Sequence, residues 1–194
     1  MAESDVSNNV LTAYETISYD GTQWLYIDGD GPLTNYILNM LQNNTHVQFY
    51  TISEFTNMDD EFLPNNIKHL KLGSVFNKML NFLPRSLENL TVGEAFNQPL
   101  NNLPHTIDTL TLACNNFTNS LNNLPCELKH LNLTYCTNFN QNLDYLPSSL
   151  EYLSLPKGYT HHLQNLPNNI KRLDIYDYPY LDELKKLYPH VKIC

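Results

Sequence analysis

The dipeptide Leu-Pro recurs along the chain at a nearly constant interval, and that interval restricts the fold more than any other feature. It stands at Leu63-Pro64, Leu83-Pro84, Leu103-Pro104, Leu124-Pro125, Leu146-Pro147 and Leu166-Pro167, at spacings of 20, 20, 21, 22 and 20 residues. Each copy carries the same apolar frame. In the first it reads Ile67, Leu70, Leu72, and in the last Ile170, Leu173, Ile175. Between frames sits an aromatic, usually followed by a polar residue: Phe76-Asn77, Phe96-Asn97, Phe117-Thr118, Phe139-Asn140 and Tyr159-Thr160. A further leucine follows at 80, 100, 121, 143 and 163. A unit of this length cannot close a core of its own. It buries its apolar face only by stacking on its neighbours, so a fixed period of this size specifies a solenoid.

The frame also says what each coil contains. Its final apolar-x-apolar pair alternates with period two, as a short strand requires. The rest of each unit is rich in Pro and Asn, which favours turns and irregular extended chain over helix. Stacked coils would place the strands in one parallel sheet and the leucines in internal rows. The expected fold is therefore an α/β repeat: a leucine-rich-repeat-like solenoid with a parallel sheet of short strands and a mostly irregular convex side. The polar residues are less determined. The column Asn81, Asn101, Asn122, Asp144, Gln164 fits either amide ladders between coils or solvated turns. After Leu-Pro, Asn65, Asn66, Asn168 and Asn169 read as simple turn formers.

The run from Phe96 to Leu112, FNQPLNNLPHTIDTLTL, resembles the FNIP repeat, a short relative of the leucine-rich repeat found in social amoebae and in giant viruses that infect amoebae. The resemblance covers residues 63–175, with departures at Phe117-Thr118 and Tyr159-Thr160. It implies a protein-interaction module. In this family the repeats often follow an F-box, which would tie the array to ubiquitin-ligase substrate recognition. No such helical segment is legible here.

Outside the repeats the chain divides into a flexible N-terminus at 1–13, an N-terminal cap at 14–62 and a C-terminal cap at 176–194, all in one folded unit with the repeats at 63–175. In the N-terminal cap, Thr16 to Tyr19 and Gln23 to Ile27 flank Asp20-Gly21, a hairpin signal. Residues 32–42 have a helical pattern with Pro at the start. Val47 to Ile52 reads as a strand. In the C-terminal cap, Leu181, Leu184 and Leu187 fit a short amphipathic helix, and Val191 and Ile193 a last edge strand.

Charge sets limits on partners. The formal charge is −9. Residues 1–62 hold ten acidic residues and no Lys or Arg, while 63–194 hold eleven basic and ten acidic ones. Without clustered Lys and Arg the chain is expected to bind neither nucleic acid nor an anionic membrane. No secretory signal, transmembrane run or CxxC pair is present, which points to a cytoplasmic protein (host cytoplasm if viral) with free thiols.

Candidate chemistry is sparse. Asp28-Gly29-Asp30-Gly31 has the look of a cation loop, but the late glutamate a calcium loop needs is replaced by Asn39, so a turn leading into a helix is the expected role. His161 and His162 are adjacent and would point apart. His69 and His130 occupy equivalent positions but lie roughly 14 Å apart across two intervening repeats. Cys114 and Cys136 follow consecutive strands and read as buried structural thiols. No catalytic residue, metal or cofactor is expected. Function would then reside on the outward residues of the strands, on the concave face: His69, Lys71, Asn89, Thr91, Thr109, Thr111, His130, Asn132, Tyr152, Ser154, Arg172 and Asp174. Tyr152 and Arg172 lead that set, since aromatics and Arg dominate binding hot spots. A protein partner is expected; the alternatives are self-assembly through a sheet edge and an enzyme or metal protein that uses the N-terminal acidic loop.

Overall fold

The computed structural model describes residues 11–29, 34–51, 63–81 and 83–194. One ten-stranded sheet runs through it, with the strands in sequence order. The N-terminal part supplies β1 (Thr12–Ile17), β2 (Gln23–Asp28), helix α1 (Asn35–Asn43) and β3 (His46–Phe49). The repeats supply β4 (His69–Leu72), β5 (Asn89–Val92), β6 (Thr109–Leu112), β7 (His130–Asn132), β8 (Tyr152–Ser154) and β9 (Arg172–Asp174). Helix α2 (Leu181–Leu187) and β10 (Lys192–Ile193) close the chain. β1 and β2 pair antiparallel, as a hairpin must, and every later pairing is parallel.

The register puts like on like. Leu70 pairs with Leu90, Leu90 with Leu110, Leu110 with Leu131, Leu131 with Leu153, and Leu153 with Leu173. All six are at most 1% exposed. Val47 and Leu25 continue the row through β3 and β2. Behind it, the rings of Phe76, Phe96, Phe117, Phe139 and Tyr159 form a second column, with centroids 6.2–6.5 Å apart. Each buried leucine or phenylalanine contributes on the order of 2 kcal/mol of transfer free energy, and every coil withdraws its neighbour's side chains from water.

Polar side chains bind the coils on the side away from the sheet. The Oδ1 of Asn77 accepts from the Asn97 N–H at 2.9 Å, and that of Asn97 accepts from the Thr118 N–H at 2.9 Å. The column at 81–164 joins diagonally to the residue that follows it in the next coil. Asn102 donates to Asn81 at 3.2 Å, Asn123 to Asn101 at 3.1 Å, and Asn165 to Asp144 at 2.9 Å. The positions after Leu-Pro are more than turn formers, which corrects the expectation. Asn66 donates to the carbonyls of Leu41 and Asn44, Asn169 donates to that of Ser148, and Asn65 accepts from the Arg85 N–H. Ser86, Thr106 and Ser149 occupy the place of Asn66 in their own coils and donate to carbonyls of the preceding one. A short donor here pairs loop carbonyls that no strand or helix reaches.

The ends differ from the expectation in detail. β1 begins at Thr12, four residues earlier than the hairpin signal suggested, because its length is set by pairing with β2 from Ile17↔Gln23 to Thr12↔Asp28. Most of its side chains are exposed, so no apolar alternation marks it. Helix α1 starts after Thr34, whose Oγ1 accepts from the Ile37 N–H at 3.3 Å. β3 stops at Phe49, where the chain turns so that the Tyr50 N–H meets the Ile27 carbonyl at 2.9 Å. At the other end two tyrosine hydroxyls fasten the final segment to the last coils. Tyr178 donates to the His161 carbonyl and accepts from the Leu163 N–H; Tyr188 donates to the Gln164 carbonyl and accepts from the Leu166 N–H.

Candidate interaction surface

Strands β4 to β6 each carry two core residues and two that face away from the core, and β7 to β9 carry one core residue between two outward ones. Strand register gathers the outward residues into two rows. His69, Asn89, Thr109, His130, Tyr152 and Arg172 form one, and Lys71, Thr91, Thr111, Asn132, Ser154 and Asp174 form the other. All twelve residues singled out from the sequence thus lie on one face. They do not behave alike. The middle of the face is Asn89, Thr91, Thr109 and Thr111, short side chains that leave the backbone ridge accessible to a partner. Thr109 is tied to its neighbour, its Oγ1 donating to Asp108 at 2.9 Å.

The C-terminal end is more constrained. His130 and Tyr152 stack with centroids 4.5 Å apart and planes 4° from parallel. Arg172 is held by Asp174, Nε to Oδ1 at 2.7 Å, and Ser154 donates to the same carboxylate at 3.3 Å. The guanidinium is therefore already engaged, which lowers its value as a free anchor.

The N-terminal strands extend both rows, and the frame-based reading missed them because they lack the Leu-Pro signature. Trp24 and His46 continue the first row, and Tyr26 and Gln48 the second. Their local patterns, Trp24-Leu25-Tyr26-Ile27 and His46-Val47-Gln48-Phe49, carry the same alternation as the repeats and were the available signal. These residues build the most concentrated cluster on the face. The His46 and His69 imidazoles stack at 3.9 Å and 6°. Trp24 meets His46 edge-on at 5.1 Å, and Lys71 Nζ sits 4.1 Å from the Trp24 ring centroid. Tyr14, Tyr26 and Tyr50 form a second stack, at 5.4 and 5.5 Å. Burial against neighbouring rings lowers the pKa of both histidines, and for His46 the adjacent His69 acts in the same direction. Burial and the neighbouring tyrosines raise that of Tyr50.

Along one margin of the face, opposite charges pair between neighbouring coils: Lys68 contacts Glu88 at 2.7 Å, and Glu151 contacts Lys171 at 2.6 Å. The lysine hydrogen bonds pull both carboxyls below their usual range. As exposed pairs they set register and solubility more than stability.

Of the acidic loop, Asp28 accepts from the Gly29 N–H and from Thr51, which makes it a turn-stabilising group, while Asp30 and Gly31 lie outside the described residues. Among the described residues, no group of three or more His, Cys, Asp or Glu side chains could hold a metal ion. No described helix is long and apolar enough to cross a membrane.

Comparison with known proteins agrees with this architecture. The family model of the FNIP repeat matches residues 57–91 and 79–115. Among solved structures, the giant-virus protein CroV588, described as having a novel circular leucine-rich-repeat structure, is similar at 33% identity with a TM-score of 0.58. The match covers 68% of this chain and 20% of CroV588, so the chain spans about a fifth of the length of that structure. No curated protein matches the sequence. The chain thus carries FNIP repeats, matched over residues 57–115, within a leucine-rich-repeat-like solenoid fold.

Proposed function

We propose that this protein is a non-catalytic interaction module that binds another protein across the sheet face of its solenoid. One observation carries the reading. Two in-register rows of side chains run outward along the whole sheet from β2 to β9, and the leucine interior does not need them. A rigid face of this kind presents preorganised contacts at little entropic cost. The partner is a protein rather than a nucleic acid, because the overall charge is −9 and the cations of the face are few and individually engaged. Recognition of a host protein or of a ubiquitin-ligase substrate is the setting that the family resemblance suggests, and the cytoplasm is the location proposed with it.

The energetic centre of that face is its N-terminal third. Trp24, Tyr26, His46, His69 and Lys71 combine aromatic area with a cation, the composition from which hot spots are drawn. The testing experiment is affinity capture with wild type, with Trp24→Ala/Lys71→Ala and with Tyr152→Ala/Arg172→Ala, each checked for folding by circular dichroism. Loss of a partner with the first pair supports the reading, and loss with the second alone moves the site to the C-terminal end. Recovery unchanged by either removes this face from consideration. Self-assembly is the competing reading, since β1 ends the sheet with Tyr14 and Ile17 exposed at 51% and 71%. Light scattering that shows a monomer at all concentrations would discard it.

A further inference from the structure

The two longest coils differ from the others at a single place. From the second residue of the buried apolar pair to the buried aromatic, the chain takes four residues in Leu72 to Phe76, Val92 to Phe96 and Leu155 to Tyr159. It takes five in Leu112 to Phe117 and six in Leu133 to Phe139. The rest of the frame is constant, so these segments alone produce the 21- and 22-residue spacings. Three places before the aromatic stand Gly73, Gly93, Cys114, Cys136 and Pro156. At the glycines there is no room for a side chain. A Cβ on Gly73 would lie 1.7 Å from the Tyr50 carbonyl oxygen, and one on Gly93 would lie 2.5 Å from that of Gly73. The longer segments, with Ala113 extra in one coil and Thr134 and Tyr135 in the next, hold the chain differently, and two thiols fill the space.

Both thiols are 0% exposed. Their sulfurs are 3.7 Å apart, and Cys136 Sγ also lies 3.0 Å from the Leu112 carbonyl oxygen as a donor. Cys126 and Cys194, by contrast, are exposed.

We propose that Cys114 and Cys136 are an oxidisable pair that hydrogen peroxide converts into a covalent staple between consecutive coils. Adjacent strands of a sheet are about 4.8 Å apart, inside the Cα separation of about 4.4–6.8 Å that disulfides span. Closing the bond asks the sulfurs to approach by about 1.7 Å, a change that side-chain rotation can supply. In the first step one thiolate attacks the peroxide, takes up an oxygen and becomes a sulfenic acid, and one water leaves. In the second the other thiol attacks that sulfur, the S–S bond forms and a second water leaves. Two thiols and one peroxide thus give one disulfide and two waters, and the two electrons pass to the O–O bond.

The environment makes the pair slow rather than inert. The contact with Cys136, together with burial, holds the Cys114 thiol well above its ordinary pKa. Oxidation therefore waits for the two coils to part locally, and the partner sulfur is then the nearest nucleophile. Once formed, the bond joins residues 22 apart and opposes that same parting.

The test uses the full chain with Cys126→Ser and Cys194→Ser, which removes the exposed thiols. The folded protein is incubated with hydrogen peroxide, denatured, alkylated and mapped without reduction. The expected result is a peptide pair joined through Cys114 and Cys136 with the loss of two hydrogens, from monomeric protein. Tm should rise by on the order of 5–10 °C, and dithiothreitol should reverse both changes. Cys136→Ala in the same background should show neither. Full alkylation of both thiols after prolonged exposure would overturn the proposal. So would sulfinic acid at either position without a cross-link, or a cross-link that lowers Tm.

Discussion

The imidazoles of His46 and His69 lie face to face across β3 and β4, with centroids 3.9 Å apart and planes 6° from parallel. Two imidazolium rings cannot share that geometry without strong repulsion, and Lys71 adds a third cation nearby. Their folded-state pKa values are lowered from 6.5, chiefly by burial. The unfolded chain therefore binds protons before the folded chain does. Stability is insensitive to this pair above that value and falls as pH drops through and below it. The carboxylates held low by hydrogen bonds, such as Glu88 and Glu151, begin to contribute only near and below the ordinary glutamate value of 4.5. The expected outcome is a decline in Tm between pH 7 and pH 5.5 that His46→Gln/His69→Gln abolishes. An identical decline in the double variant would remove the pair as its cause.

Gly73 stands where β4 leaves the sheet, and its backbone packs directly on the carbonyl of Tyr50. Alanine there has no escape, because the clashing atoms belong to main chain rather than to a flexible side chain. Gly73→Ala should destabilise by about 1–3 kcal/mol, read from urea unfolding. Gly158→Ala is a useful contrast. Its added Cβ meets nothing within 4 Å, so only the strain of φ +82° acts there.

The hydroxyl of Tyr178 closes the C-terminal end by donating to the His161 carbonyl at 3.0 Å and accepting from the Leu163 N–H at 3.1 Å. Tyr178→Phe keeps the ring and strands that buried N–H. A loss of about 1–3 kcal/mol should follow, with faster hydrogen exchange at the Leu163 amide. Unchanged exchange at that amide would show that the hydroxyl does not hold the cap.

In the aromatic column, Phe96 stacks on Phe76 and Phe117 with centroids 6.4 Å away on either side. Phe96→Ala should cost about 3–5 kcal/mol, since rigid backbone on both sides limits collapse into the cavity. A loss under 1 kcal/mol would mean that the coils close over the gap.

The leucine rows could be read from the chain because burial repeats with the coil, and any residue that must be apolar in one coil must be apolar in all. Polar residues obey no such rule. Asn66 and Thr106 do the same work with different side chains, and the carbonyls that Asn66 pairs belong to Leu41 and Asn44, far away in the chain. Its spacing in the sequence cannot name those partners, and the turn-former reading failed there for that reason. The outward rows were legible from Leu63 onward, where the frame fixes which residue of each strand points in. The cluster of Trp24, Tyr26 and His46 was not, because the helix α1 insertion interrupts the period before β3. Arg172 was singled out as an anchor on residue type alone, and only three-dimensional structure reveals the Asp174 carboxylate that occupies it.

The decisive measurement concerns the interior shared by successive coils. In a methyl-labelled sample, nuclear Overhauser contacts from Leu110 should reach Leu90 on one side and Leu131 on the other, with no direct contact between Leu90 and Leu131. Methyl contacts that skip a coil, or a Leu110 side chain in contact with neither neighbour, would contradict a stacked solenoid and the outward face that depends on it.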